Sequence, residues 1–562
     1  MIALLISLMA VSTLALTTAS EKRYVVMLPK VTPGTASSIV TPPTSTPIIA
    51  PTAIPTLRGD VAIWQPWELV VAQPIGGEQQ TTRLSAQLVG PDGTRILAPG
   101  FWDGRVWRVR SFFPQAGIWS WQLVSEPRQV ALEQSGQILV DPVAAGETNP
   151  LYRSGATRVS AEGRYLVHAD GTPFFWLGDT MWDAALQMDL AEWEAYLADR
   201  AALGFSVIQL ALAPSWSGSQ DRQGHAPFIG AIDQPNHAFW EGFEQKVLAA
   251  NRAGLIILVV GLADPLATNQ TDTAAAEAFS HYLVARLHGF HVIFSPTFDH
   301  PYRAMAEQVG ETIAQTTDLH LVTQHPGTPS GQATNIHAER YYAQDYLDFA
   351  GNQTGHNSGD RSQVFGQART WNLSLWNRGS KPVINLEAWY DANGTKPDGG
   401  GSRQGTAYDA RAAGYLSLLS GAQGYSYGAQ GLWKLERDPN APDYWQVAMD
   451  YPSAQHMAIL RNIFTAYPWW QLVPMHERIS SQPVAPEQQA ALAFTSDRRF
   501  GMAYLPATPT ITIDLRGFAP QKTITWIDPT TGIHYPGGRI ATVDVITITP
   551  PTSSDWVVLF QS

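Results

Sequence analysis

The sequence predicts an α/β protein, a (β/α)8 TIM barrel flanked by two small all-β sandwich domains. Three observations carry this expectation. Between about residues 160 and 470, eight apolar runs alternate with longer stretches whose apolar residues recur at helical spacing. On either side lie shorter runs of alternating apolar and polar residues, cut by Gly, Pro and Asp turns. The length of 562 residues leaves room for roughly three or four such units. An open doubly wound sheet is the competing arrangement, but no Gly-rich fingerprint follows the first apolar run.

Composition narrows the class of protein. A hydrophobic share of 44% against a charged share of 15% suits packed domains rather than disorder. The net charge of −12 argues against a nucleic acid as main partner. The chain has no Cys, which excludes disulfides, thiolate metal sites, a Cys nucleophile and a lipoprotein anchor. No cofactor and no metal are expected, since no phosphate-binding loop and no His-Glu-x-x-His spacing occur. A Ser elbow of the G-x-S-x-G kind is also missing, which weakens a serine hydrolase reading.

The elements follow in order. Residues 1–20 are uncharged and apolar, with small residues at the end, as in a signal peptide or an anchor. Residues 21–57 form a Pro/Thr/Ser-rich linker that cannot build a packed core and behaves as an extended spacer. Together they predict a secreted or surface-held protein. Residues 58–142 read as an N-terminal β-sandwich and residues 476–562 as a second one. Residues 143–475 carry the barrel. Its runs are "FFWLGD", "VIQLAL", "LIILVVG", "HVIFSPTFD", "LHLVTQ", "YLDFAGNQ", "PVINLE" and "GYSYGAQG". Helix candidates between them include "DLAEWEAYLADRAALG", "AFWEGFEQKVLAANRAG" and "YDARAAGYLSLLSGAQ", several ending in Gly.

In this fold the active site lies at the carboxyl ends of the strands. The seventh run there ends in Glu387 and the fourth in Asp299. An ionised Glu is costly to bury unless it is paired or used. Two facing carboxylates can cleave a glycosidic bond, one protonating the leaving oxygen and the other attacking the anomeric carbon or activating water. The assignment is Glu387 as nucleophile, ionised at rest, and Asp299 as general acid/base. Burial or its partner's charge would keep Asp299 protonated. The bland alternatives are a rim carboxylate paired with Arg for Glu387 and a turn residue for Asp299.

Asp179, Gln324, His325 and Gln353 also fall at strand ends, and Asp179 is alternatively a helix cap. With His356, Trp182, Trp389, Tyr390, Tyr427, Gln430 and Trp433, they form the expected substrate-binding set. Trp176, Trp216 and Tyr425 cluster near the same ends. Rings gathered at one face suit a sugar, whose C–H face packs on an aromatic while its hydroxyls seek polar partners. Asp264 is expected only to shape a loop.

At these residues a resemblance appears. "GRYLVHADGTPFFWLGDTMWD", "YLADRAALGFSVIQ", "DYLDFAGNQTGH", "KPVINLEAWYD" and "AAGYLSLLSGAQGYSYGAQGLW" resemble the apiosidase-like glycoside hydrolases, family 140. The N-terminal stretch is similar to the domain that often precedes such barrels. The C-terminal "AYLPA", "WIDPTTG" and "DWVVL" resemble a domain labelled collagen-binding. The resemblance implies a barrel hydrolase acting on plant-type polysaccharide, with release of apiose from pectin among its activities. It also carries an Asp and a Glu onto Asp299 and Glu387. Asp299 follows Thr297 and Phe298 where the commoner pattern has two glycines, and "QTGHNSGD" stands where Ser-Gly-His is more usual. The expected partner is therefore a carbohydrate. Two other readings stay open: a catalytically silent surface protein binding glycan or matrix, and another exo-glycosidase such as an arabinofuranosidase.

Overall fold

The computed structural model describes residues 61–71, 82–268, 271–355, 360–392, 405–506, 510–541 and 544–562. The apolar leader, the linker and His356 lie outside the described residues.

At the centre a parallel sheet curls on itself. Among the described residues its strands are β1 (Trp176–Thr180), β2 (Val207–Ala211), β3 (Ile256–Val260), β4 (Val292–Ser295), β5 (Ala350–Gln353), β6 (Val383–Glu387) and β7 (Gly424–Tyr427). They lie side by side as β4-β3-β2-β1-β7-β6-β5, all parallel. Residues 321–325 run between the two edge strands. Phe294 N–H donates to Leu321 O at 3.1 Å and Thr323 N–H to Phe294 O at 2.9 Å. On the far side, Asp348 N–H donates to Val322 O at 2.9 Å.

The sequence predicts a full strand at 319–324, but only Val322 forms a bridge there. Side chains have taken ladder positions. Asp348 Oδ2 accepts from Val322 N–H at 2.7 Å, and Thr323 Oγ1 donates to Phe349 O at 2.9 Å. Backbone groups satisfied this way do not need a second strand's register. The fit is close, because a Cβ at Gly351 would collide with Gln324 O.

Helices α1 (Leu190–Ala202), α2 (His237–Arg252), α3 (Thr273–Leu287), α4 (Ala304–Thr316), α5 (Ile336–Tyr342), α6 (Arg361–Trp376), α7 (Ala407–Leu418) and α8 (Pro452–Thr465) surround the sheet. Their starts follow from local chemistry. Asp189 caps α1 in a reciprocal box with Glu192, and Thr406 caps α7 in another with Asp409. Asn236, Asp272 and Asp360 cap α2, α3 and α6. α1 and α2 stop before Gly204 and Gly254, both with φ of 81°.

Strand alternation then sorts the apolar side chains. Trp176, Val207, Ile256, Leu258, Ile293, Ile384 and Leu386 fill the inside of the curl. Leu177, Ile208, Leu210, Ile257 and Val259 face the helices.

Before this sheet comes a seven-stranded one packed around Leu84, Leu88, Trp107, Trp119 and Leu123. Its strand Arg95–Trp102 pairs with Arg83–Val89 in its first part and with Trp107–Ser111 in its second, so the sheet rolls over its own core. After the parallel sheet, a six-stranded and a three-stranded sheet share a core that includes Phe494, Val558 and Phe560 on one and Ile511, Ile513 and Ile548 on the other.

Buried ion pairs fasten both flanks. Arg110 reaches Glu68 at 2.8 Å and Glu244 of α2 at 2.7 Å, and donates to Arg286 O at 2.8 Å. On the other flank, Arg411 of α7 binds Asp555 with two bonds of 2.8 and 2.7 Å, and Tyr504 donates to the same carboxylate at 2.7 Å.

His288 and His291 are among the buried histidines at the first junction. His288 Nδ1 lies 3.0 Å from Arg110 O, and His291 Nε2 lies 2.9 Å from Trp64 O with its ring stacked on Phe112. Burial pushes both imidazoles down to about 4. The folded state binds protons less readily than the unfolded one, so stability is full above about pH 6.5 and is lost as pH falls towards 4. At pH 5 each should subtract about 2 kcal/mol. Urea denaturation at pH 7 and 5 is expected to show this loss, and His288→Gln should make the dependence shallower; equal slopes would refute it.

Candidate active site

The site is built upward from a glutamine. Gln209 points from β2 into the apolar interior and is fully buried. Its Nε2 donates to Thr180 Oγ1 and to Leu386 O, each at 3.0 Å. Its Oε1 accepts from Ser426 Oγ at 3.1 Å, and Trp176 Nε1 donates to that serine at 3.0 Å. One amide thus joins β1, β2, β6 and β7 in a satisfied layer. The carbonyl it holds belongs to the residue before Glu387.

Simple alternation would turn Glu387 outward, since Ile384 and Leu386 face inward. The pairing of β5 with β6 slips at this point, however, and brings Gln353 opposite Glu387. Such irregularities re-aim side chains at strand ends. Glu387 is 4% exposed, with Oε2 3.3 Å from Nε2 of the buried His325. The Tyr390 hydroxyl interacts with Glu387, Thr180 and Trp182. Burial, and then the charge of Glu387, push this phenol well above its usual range, so it remains a proton donor.

Asp299 lies on the loop after β4 and takes the left-handed conformation, with φ of 46°, which Asp tolerates better than most residues. Its N–H donates to His325 O at 3.1 Å, and His325 N–H donates to Thr297 Oγ1 at 2.7 Å. The loop carrying Asp299 is therefore laced to the segment whose histidine touches Glu387. Asp299 itself is exposed. The burial expected as one of two causes of its protonation is therefore not found. The turn that presents it to the opening also leaves it in water.

A chain of ring contacts leads from the exposed Trp216 to His325, the neighbour of Glu387. Trp182 packs on Phe298 at 4.7 Å and edge-on to His325 at 5.1 Å, and Trp216 lies 5.7 Å from Phe298. Gln430 and Trp433 share a bond of 3.2 Å and are partly exposed. Gln353 is buried beside Glu387. Gln324 spends its amide on Gly351 O at 3.0 Å, stitching residues 321–325 to β5.

Three expected binding residues point elsewhere. Asp179 faces α1, where Arg200 Nε lies 2.6 Å and the Tyr196 hydroxyl 2.8 Å from its Oδ2. It is fully buried and structural. Tyr427 also faces outward and shares a bond of 2.7 Å with Ser453 of α8. Trp389 packs towards Phe365 of α6 within the sheet–helix core. Trp176 fills the interior, and Tyr425 donates to Ala410 O of α7 at 3.0 Å.

Other residues were not anticipated at the site. Asp183 accepts from Trp216 Nε1 at 2.9 Å. Asp264 does hold its loop, accepting from Thr271 at 2.8 Å, but it also lies 3.8 Å from His300 and 3.7 Å from Arg303, just past Asp299. The cue for Asp183 was its place one residue after Trp182, at the end of the first unit.

Residues 160–471, more than half of the chain, match the family described as "Apiosidase-like, catalytic domain". The chain belongs to the apiosidase-like family. It is a glycoside hydrolase. Residues 473–561 match "Putative collagen-binding domain of a collagenase". Among solved structures, a "Glycoside hydrolase" is similar at 22% identity and a TM-score of 0.65, covering 73% of this chain and 98% of its own. A glycoside hydrolase family 5 structure from Bacteroides vulgatus shares 20% identity at a TM-score of 0.64, over 73% and 94%. A "putative glycoside hydrolase" from the same organism shares 18% at 0.67, over 90% and 100%. These likenesses concern the fold. No curated protein matches the chain.

The apiosidase-like chain thus holds two aspartates of opposite kind. Asp179→Asn should strand Arg200 in a dry interior and lower stability by about 3–5 kcal/mol. Asp299→Asn should leave the melting temperature within a degree or two of the parent. Calorimetry of the two variants side by side separates them, and equal losses would contradict the assignment.

Proposed function

We propose that this glycoside hydrolase removes a sugar from plant-type polysaccharide by a two-carboxylate mechanism. The resemblance to family 140 makes apiose on pectin its first candidate substrate. One observation carries the reading: His325 adjoins the buried Glu387 through its ring and holds the Asp299 loop through its backbone. Glu387 attacks the anomeric carbon as the bond to the leaving oxygen breaks, and Asp299 delivers the proton to that oxygen. Tyr390 keeps its proton and steadies the attacking carboxylate. A sugar seated in the opening would exclude water from Asp299, and a dry surrounding favours the neutral form of a carboxylic acid. The protonated acid needed for the first step is then formed on binding.

The same reading takes the curled sheet, closed through residues 321–325, as a (β/α)8 barrel spanning 143–475. The sheets at 58–142 and 476–562 are accessory sandwiches, and 1–57 directs the protein to the exterior or the cell surface. Phe298 supports a second specificity. Its ring occupies a position for which the commoner pattern has glycine, and it packs on Trp182. That narrows the leaving-group side and favours another exo-acting specificity, such as arabinofuranosidase.

The test is to incubate the full chain with pectic and hemicellulosic oligosaccharides and to identify the released monosaccharide. Glu387→Gln is expected to cut the rate by about 10³-fold or more, and Asp299→Asn by about 10²–10⁴-fold. Apiose would support the first specificity and arabinose the second. Binding without release, unchanged in Glu387→Gln, would sink the hydrolase mechanism and leave a glycan-binding protein.

A further inference from the structure

Trp216 is an anomaly among the large apolar residues near the site. It sits in a single 3-10 turn, Ser215–Ser217, after β2, and is 47% exposed. A single exposed apolar side chain is ordinary on a protein surface. Yet this one is fixed in place. Its Nε1 donates at 2.9 Å to Asp183 Oδ1, a carboxylate only 4% exposed. Asp183 N–H in turn donates to Trp433 O at 3.3 Å. The neighbouring Ser217 is buried, and its carbonyl accepts from Gln187. On its other side the ring leans on Phe298 at 5.7 Å, the residue directly before Asp299.

We propose that Trp216 is the stacking platform for the sugar on the leaving-group side, and that Asp183 is its positioning residue. The inference rests on the reading of Asp299 as the acid, because the acid protonates the oxygen of the departing sugar. A ring beside that acid therefore meets the departing sugar and not the one that is attacked. Its exposed face suits the C–H face of a pyranose or furanose ring. The groups around Asp183 fit a fixed anchor. Trp216, Ser217 and Lys434 favour its charge, while burial opposes it and is the larger influence. Loss of that carboxylate would free the indole to turn. The preferred substrate is therefore an oligosaccharide with at least one sugar beyond the scissile bond.

The test compares two substrates with the same terminal sugar, an oligosaccharide and its methyl glycoside. Trp216→Ala should lose ten-fold to a hundred-fold more kcat/KM on the oligosaccharide than on the methyl glycoside, and Trp216→Tyr should recover most of it. Asp183→Ala should show the same bias more weakly, with increased mobility of the indole in fluorescence anisotropy. Equal losses on both substrates, or none on the oligosaccharide, would overturn the platform while leaving the hydrolase reading intact. In the Glu387→Gln background, calorimetry reports oligosaccharide binding without turnover, and Trp216→Ala should weaken it ten-fold or more. A parent protein that neither cleaves nor binds any oligosaccharide overturns both readings together.

Discussion

A buried amide must satisfy all its hydrogen-bonding groups or destabilise the interior that holds it. Gln209 meets that requirement by bonding from its own strand to three others at once. Its partners are the Thr180 hydroxyl, the Leu386 carbonyl and the Ser426 hydroxyl, the last braced by Trp176. The bonds come from strands far apart in sequence, so the layer exists only when the curl has closed to its final radius. Below it the interior is apolar; above it stands Glu387. This carboxylate rests on a floor whose geometry cannot relax one strand at a time.

The flanking sheets are fastened by different chemistry. Both junctions use a buried arginine answering a carboxylate across elements: Arg110 with Glu244 of α2, and Asp555 with Arg411 of α7. Buried pairs are poor sources of net stability but are intolerant of misalignment. They set orientation, while apolar contact such as the stacked pair Tyr415 and Tyr504 supplies the cohesion. Neither junction involves Glu387, Asp299 or the rings beside them.

Much of this was legible in the sequence. Helical spacing and terminal glycines marked α1 and α2 within a residue or two, the α7 stretch overran its helix by five residues, and apolar runs marked most strands of the parallel sheet. Glu387 stood out because a charge followed Ile384 and Leu386. The failures have physical causes. α6 carries no clear apolar stripe, because its Gln, Asn and Arg side chains are also buried, with Arg369 meeting Gln489 of the C-terminal region. Asp179 read as a site residue because it ends a strand, yet period-two alternation from Trp176 sends it to the helix side, where Tyr196 and Arg200 wait one turn apart. The same parity applies to Tyr427. Glu387 escapes it through a register slip that no residue pattern announces.

Residues 321–325 close the curl with side-chain bonds in place of a ladder. Regular strands resist stretching collectively; this seam is held by a few separate attachments. His325 and, through it, the Asp299 loop both ride on the seam, while Glu387 stands on the rigid floor. The placement of the Asp299 loop relative to Glu387 thereby depends on this seam. Substitutions in the seam can shift that loop without touching either carboxylate, a mechanical adjustment that leaves the chemistry of both side chains unchanged.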